Sequence, residues 1–122
     1  MKVFIADDSG LVVERLAGLL EEVPGARLVG QAGDVATAVN GIHRAKPDAV
    51  ILDLHMPGGS GLDVLRAIRA GSETADIPVV LLTARASEAD VQEGLDAGAD
   101  DYIAKPFSPQ ELATRVQAIL GA

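Results

Sequence analysis

The 122-residue sequence has no cysteine and no tryptophan, and its aromatic residues are Phe4, Tyr102 and Phe107. Without cysteine there is no disulfide, no thiolate metal site and no thiol nucleophile. Bases are scarce: 10 Lys and Arg stand against 18 Asp and Glu, for a formal net charge of -8. Direct nucleic-acid binding by this chain is therefore not expected, because it needs clustered positive charge to displace counterions. No apolar run approaches membrane-spanning length and no signal-peptide pattern precedes the first apolar run. The expectation is a cytoplasmic protein with no membrane contact.

What is abundant is aliphatic. Hydrophobic residues make up 48% of the chain, mostly Ala, Val, Leu and Ile, a composition suited to a buried parallel sheet. The length suits one domain with a real core, over residues 1–122. Short apolar runs at Val3–Ala6, Arg27–Ala32, Ala49–Leu52, Ile77–Leu82 and Tyr102–Ala104 read as strands. Between and after them lie five helical patterns. Ser9 caps the first, with Val12, Leu16, Leu19, Leu20 and Val23 on one face and Pro24-Gly25 as its stop. Asp34 opens the second, with Val35, Val39 and Ile42 on one face. Ser60-Gly61-Leu62-Asp63 is a capping-box start for the third, which buries Leu62, Leu65 and Ile68. Ser87-Glu88-Ala89-Asp90 is a second such start; the helix it opens has only a thin stripe, Val91 and Leu95, and contains Gly94. Ser108-Pro109-Gln110-Glu111 opens the last, carrying Leu112, Val116, Ile119 and Leu120 and ended by Gly121.

Strict alternation of strand and helix predicts an α/β fold, a doubly wound five-stranded parallel sheet with helices on both faces. In the flavodoxin-like strand order 2-1-3-4-5, the crevice lies between the first and third strands at their carboxyl ends. The polar residues fall at that edge. Asp7 and Asp8 leave the first strand, Asp53 the third, Thr83 the fourth and Lys105 the fifth. Taken singly, an Asp pair at a strand end reads as a turn or cap, Thr83 as a strand-end hydroxyl and Lys105 as a solvated turn. Jointly they place three carboxylates, one hydroxyl and one ammonium on one sheet edge. Three carboxylates against one ammonium leave an excess of negative charge that calls for a counter-ion. All-oxygen ligands favour a hard divalent cation, Mg2+ or Mn2+. With that charge shielded, Asp53 can act as a carboxylate nucleophile toward phosphorus. His55 beside the carboxylates does not make a zinc site.

These residues resemble the CheY-like receiver domain of two-component response regulators over the whole chain. The resemblance rests on Asp7-Asp8, Asp53-Leu54-His55-Met56-Pro57 with Gly61, Thr83-Ala84, and the stretch from Gly98 through Lys105-Pro106-Phe107. It implies that Asp53 accepts a phosphoryl group from a phosphohistidine of a sensor histidine kinase or histidine phosphotransfer protein, docked near the first helix. It implies direct Mg2+ ligation by Asp8, Asp53 and the backbone carbonyl of His55, with Asp7 acting through water. Lys105 would contact the phosphoryl group, across a cis Lys105-Pro106 bond. Thr83 and Tyr102 would form the switch, repacking a surface of the fourth helix, fifth strand and fifth helix that serves partner binding or a homodimer. Such a protein catalyses only its own phosphorylation and dephosphorylation. The alternatives are a Mg2+-dependent phosphohydrolase with an Asp nucleophile, which turnover of a small phosphoester would reveal, and a receiver that docks without being phosphorylated. A flavin-binding protein is disfavoured by the acidic crevice.

Overall fold

The computed structural model describes residues 1–84 and 88–120. The strands are β1 (Lys2–Ala6), β2 (Arg27–Ala32), β3 (Ala49–Asp53), β4 (Val79–Thr83) and β5 (Asp101–Ala104). The helices are α1 (Gly10–Leu20), α2 (Val35–Ala45), α3 (Gly61–Ala70), α4 (Glu88–Asp96) and α5 (Pro109–Leu120). All pairings are parallel, in the order β2-β1-β3-β4-β5, which is the flavodoxin-like topology expected from the alternation. β3 and β4 are buried along their whole length, as central parallel strands must be when helices cover both faces. β2 lies at an edge and buries no residue fully.

Because successive strand residues point to opposite faces, the sheet sorts its side chains into two cores. Val3, Ile5, Ile51, Val80, Leu82 and Ile103 pack with Leu16 and Leu20 of α1 and Leu112 and Val116 of α5. Phe4, Ala6, Val50, Leu52, Val79 and Leu81 pack with Ala38 and Ile42 of α2 and with Leu62, Leu65 and Ile68 of α3.

Helix starts follow their sequence signals. Ser9 accepts a hydrogen bond from the Val12 N–H, Asp34 from the Thr37 N–H and Ser108 from the Glu111 N–H. Ser60 and Asp63 form the full capping box. The cap expected at Ser87 and the stop expected at Gly121 lie outside the described residues. α1 departs from expectation. It ends at Leu20, before Pro24-Gly25, and Val13 is buried while Val12 and Leu19 are only partly covered. Glu22 and Val23 instead donate to the Leu19 and Leu20 carbonyls, so a tighter turn takes the chain out of the helix before the proline. α4 has no buried side chain among those described; its innermost position is Gly94, where a Cβ would overlap Leu81. Among the described residues no helix is long and apolar enough to cross a membrane.

Candidate functional site

The carboxyl ends of β1, β3, β4 and β5 share one edge of the sheet, and adjacent register places their final residues side by side. Ala6 pairs with Leu52, Asp53 with Leu82, and Thr83 with Ala104. Backbone bonds carry this pairing past the strands. The Leu54 N–H donates to the Leu82 carbonyl, and the Lys105 N–H to the Thr83 carbonyl at 2.7 Å. The polar residues at these ends therefore arrive together. One carboxylate oxygen each from Asp7, Asp8 and Asp53 lies within 4.8 Å of the other two. Asp7 and Asp53 are buried and Asp8 is exposed, so the cluster opens to solvent through Asp8.

Each buried carboxylate is held. Asp7 Oδ1 accepts the Ser9 N–H at 2.9 Å, and its Oδ2 accepts Lys105 Nζ at 2.9 Å. Ser9 is itself fixed as the N-cap of α1, so the helix start aims a backbone donor at the acid. Asp53 Oδ1 accepts the His55 N–H at 3.2 Å and lies 3.5 Å from Lys105 Nζ. Among the described residues, both polar contacts of Asp53 fall on that one oxygen. α3 begins directly behind it. A Cβ at Gly61 would overlap the Asp53 carbonyl oxygen and lie 2.8 Å from Leu54 Cα, while the Gly61 N–H donates to the Leu54 carbonyl. Glycine alone allows α3 to come this close to the Asp53 backbone.

The electrostatics follow from the geometry. Burial pushes the Asp53 carboxyl above its ordinary value and the Asp7 charge adds to this; the His55 N–H and Lys105 pull the other way without cancelling it. For Lys105, burial works to lower the value, but the hydrogen bond to Asp7 and the charges of Asp53 and Asp7 outweigh it and the net shift is upward. An ammonium placed between two buried acids stays charged. It does not neutralise three of them, so the cluster could hold a metal ion: its donors are oxygens only, which fits a hard divalent cation.

The other expected positions fall as follows. Thr83 is buried at the end of β4. Tyr102 is half-buried, pairs with Leu81, and packs against the core on the α2–α3 face. Thr83 and Tyr102 thus stand on neighbouring strands, with Tyr102 two register positions back from the Thr83–Ala104 pair that ends them. His55 is exposed; its backbone N–H, not its ring, touches Asp53. The Lys105-Pro106 bond is cis. Ser9 and Gly61 act on the site through backbone; the sequence marks them as cap and loop residues, and only the fold shows what they hold.

A family model described as the response regulator receiver domain matches residues 3–117. The phosphate regulon transcriptional regulatory protein PhoB of Escherichia coli (strain K12) is 42% identical over 119 residues, covering 98% of this chain and 51% of that protein. The chain thus spans about half the length of the curated relatives it matches. A putative response regulator from Chloroflexus aurantiacus J-10-fl superposes with a TM-score of 0.91 at 36% identity, covering 99% of this chain and 98% of that one. The receiver domain of sensor histidine kinase PA1611 from Pseudomonas aeruginosa PAO1 superposes with a TM-score of 0.88 at 30% identity, covering 99% and 98%. That structure has a magnesium ion coordinated in its active site cleft.

Proposed function

The chain belongs to the response regulator receiver family, and from that premise we propose that Asp53 is its phosphoacceptor. Residues 1–122 act as one receiver domain. The donor is a phosphohistidine protonated on its other ring nitrogen; its N–P bond breaks as an Asp53 oxygen bonds to phosphorus, the bond's electron pair stays on nitrogen, and the ring leaves as neutral imidazole with an acyl phosphate on this chain. The single observation that carries the reading is the convergence of Asp7, Asp8 and Asp53 within 4.8 Å, faced by Lys105.

Each residue has a task that its position supports. Asp8 and Asp53, with the His55 backbone carbonyl, would hold Mg2+ directly, and Asp7 through water; Mn2+ is hard enough to take its place. Bound there, the cation would offset the negative charge that otherwise repels an incoming phosphoryl group. Lys105 meets the phosphoryl oxygens, because its ammonium already stands 3.5 Å from Asp53. Asp7 keeps that ammonium aimed. The Thr83 hydroxyl turns to the new phosphoryl group, and Tyr102 fills the space behind it. This biases α4, β5 and α5 between two arrangements.

Two surfaces serve partners. A mostly apolar groove of about 350 Å3 runs beside the site, lined by Leu11, Val12, Ala84, Pro106 and Phe107 together with Arg15 and the site's own Lys105. It is the docking place for the phosphohistidine-bearing kinase or phosphotransfer protein. The face of α4, β5 and α5 is the output surface and the homodimer interface of the phosphorylated state. Sedimentation with beryllofluoride, a phosphoryl mimic, should show a mass increase; unchanged mass and partner affinity would remove that role.

The test of the phosphoacceptor reading is incubation with acetyl phosphate, with and without Mg2+, read by intact-mass spectrometry. The parent chain should gain one phosphoryl group only when the cation is present, and Asp53→Asn should gain none. Equal labelling of the variant would overturn the assignment.

A further inference from the structure

Among the described residues, α4 buries no side chain. Toward the sheet it offers Gly94 rather than a large side chain, and Leu95 is 37% exposed. Its carboxyl end is fastened by a set of hydrogen bonds. The Gly98 N–H donates to the Leu95 carbonyl and the Ala99 N–H to the Gly94 carbonyl, the paired bonds of a Schellman motif, with Gly98 in the left-handed region at φ +110°. That turn presents the Gly98 carbonyl to Arg69, at the end of α3.

Arg69 spends its whole guanidinium there. Nε and one terminal nitrogen donate to the Gly98 carbonyl at 3.0 and 2.7 Å. The same terminal nitrogen reaches Asp100 Oδ2 at 3.0 Å. The other donates to the carbonyls of Ala75 and Ile77 at 3.1 and 2.5 Å. These five bonds match the five N–H donors of the side chain. Asp100 closes the ring: its Oδ2 also accepts the Val79 N–H at 2.8 Å, and its own N–H donates to the Val79 carbonyl. A Cβ at Gly98 would lie 3.0 Å from Arg69 Nε and 3.2 Å from its Cγ, so glycine also makes the close approach possible. The α3 end, the entry to β4 and the α4–β5 turn form one knot at the edge of the sheet opposite Asp53.

We propose that Arg69 is a positioning residue for the switch: it pins the carboxyl end of α4, so that the helix answers phosphorylation as a lever whose amino end moves and whose carboxyl end does not. The inference rests on the phosphoacceptor reading, since that supplies the motion. α4 is nine residues long, about 13 Å at 1.5 Å per residue, so a tilt of roughly 10° about the knot moves the far end by about 2 Å. A lever pinned at one end conveys the change at Thr83 to the α4 surface without loosening the α4–β5 turn. Without the knot, α4 would respond along its whole length and less selectively.

Amide hydrogen exchange on the full chain, with and without Mg2+ and beryllofluoride, tests this. In the parent, beryllofluoride should alter exchange at Leu54, His55 and Lys105 and at Asp90–Val91, and leave residues 97–100 unchanged. Arg69→Met should speed exchange at 97–100 by about tenfold or more without the mimic and make those amides respond to it. Arg69→Lys should recover part of the protection, and Asp100→Asn should loosen the turn less than Arg69→Met. Acetyl phosphate labelling of Asp53 should stay within about twofold of the parent in all three, since the knot is remote from the acids. The proposal is overturned if the parent responds equally at 90–91 and 97–100, or if Arg69→Met keeps the parent's pattern. These failures differ from that of the underlying reading, in which Leu54, His55 and Lys105 would not respond to beryllofluoride at all and the lever would fall with it.

Discussion

Asp53 is a carboxylate in an unfavourable place, and that disfavour is measurable. Its value in the folded protein is raised above the ordinary 3.8, by burial first and by Asp7 second. Between that raised value and 3.8 the native state binds the extra proton and the unfolded chain does not, so stability should rise as pH falls through the window. Asp53→Asn should abolish that rise and raise the unfolding midpoint at neutral pH without Mg2+. Urea titrations of both proteins across the acid range check this. Lys105 titrates with the same sign at the alkaline end: its contribution is complete below its ordinary 10.5 and is lost as pH climbs through its raised value. Adding Mg2+ at ten times its dissociation constant should stabilise the parent by about 1.4 kcal/mol and Asp53→Asn by clearly less. The acid cluster was legible in the sequence because each residue follows an apolar run and strand order does the rest. Arg69 was not. Its carbonyl partner at Gly98 is 29 residues away and is presented by a turn no side-chain pattern announces, so a basic residue in a last helical turn was all that could be read.

Among the elements, helix starts were legible and helix ends less so. Ser9, Asp34, Ser60 and Ser108 cap through their own side chains within a few residues, and such local bonds leave local signatures. The end of α1 did not. A tighter turn competes with the helix from Glu21 on, and Pro24-Gly25 marks only where the helix could no longer continue. The glycines separate two kinds of position. Gly18 sits in α1 with nothing within 4 Å of a Cβ, so Gly18→Ala should stabilise by up to about 1 kcal/mol through helix propensity. Gly61→Ala forces a methyl onto the Asp53 backbone and should cost about 1–3 kcal/mol, with slower acetyl phosphate labelling because Asp53 is displaced. Leu65→Ala, at a fully buried position on α3, should cost about 2–5 kcal/mol with labelling at saturating cation unchanged. Urea midpoints and labelling rates separate a stability loss from a misplaced acid.

At the scale of the molecule, the fold gathers its acids on one edge and joins that edge to an apolar groove through Lys105. The acids lie at the carboxyl ends of the strands, the apolar groove of Leu11 and Phe107 beside them, and the Arg69 knot at the far edge. Lys105 belongs to both the groove and the acid cluster, so the division of docking from chemistry is tested at Leu11 and Phe107, which under the proposed function serve docking. Leu11→Asp and Phe107→Ala should slow phosphotransfer from a cognate phosphohistidine donor by roughly tenfold or more, while labelling by acetyl phosphate stays near the parent rate; equal losses with both donors would place those residues in the chemistry instead. Strand order was legible because alternation and handedness leave few topologies. The groove was not, because it joins residues from α1 and from the turn after β5 that share no sequence pattern. The central claim is that Asp53, among three clustered acids, carries the phosphoryl group. Borohydride reduction of the acetyl phosphate-treated protein converts an aspartyl phosphate to homoserine, and peptide mass spectrometry locates it. The account predicts homoserine at position 53 alone, and only after treatment in the presence of Mg2+. Homoserine at position 7 or 8, or none in a protein that has gained the phosphoryl mass, would contradict it.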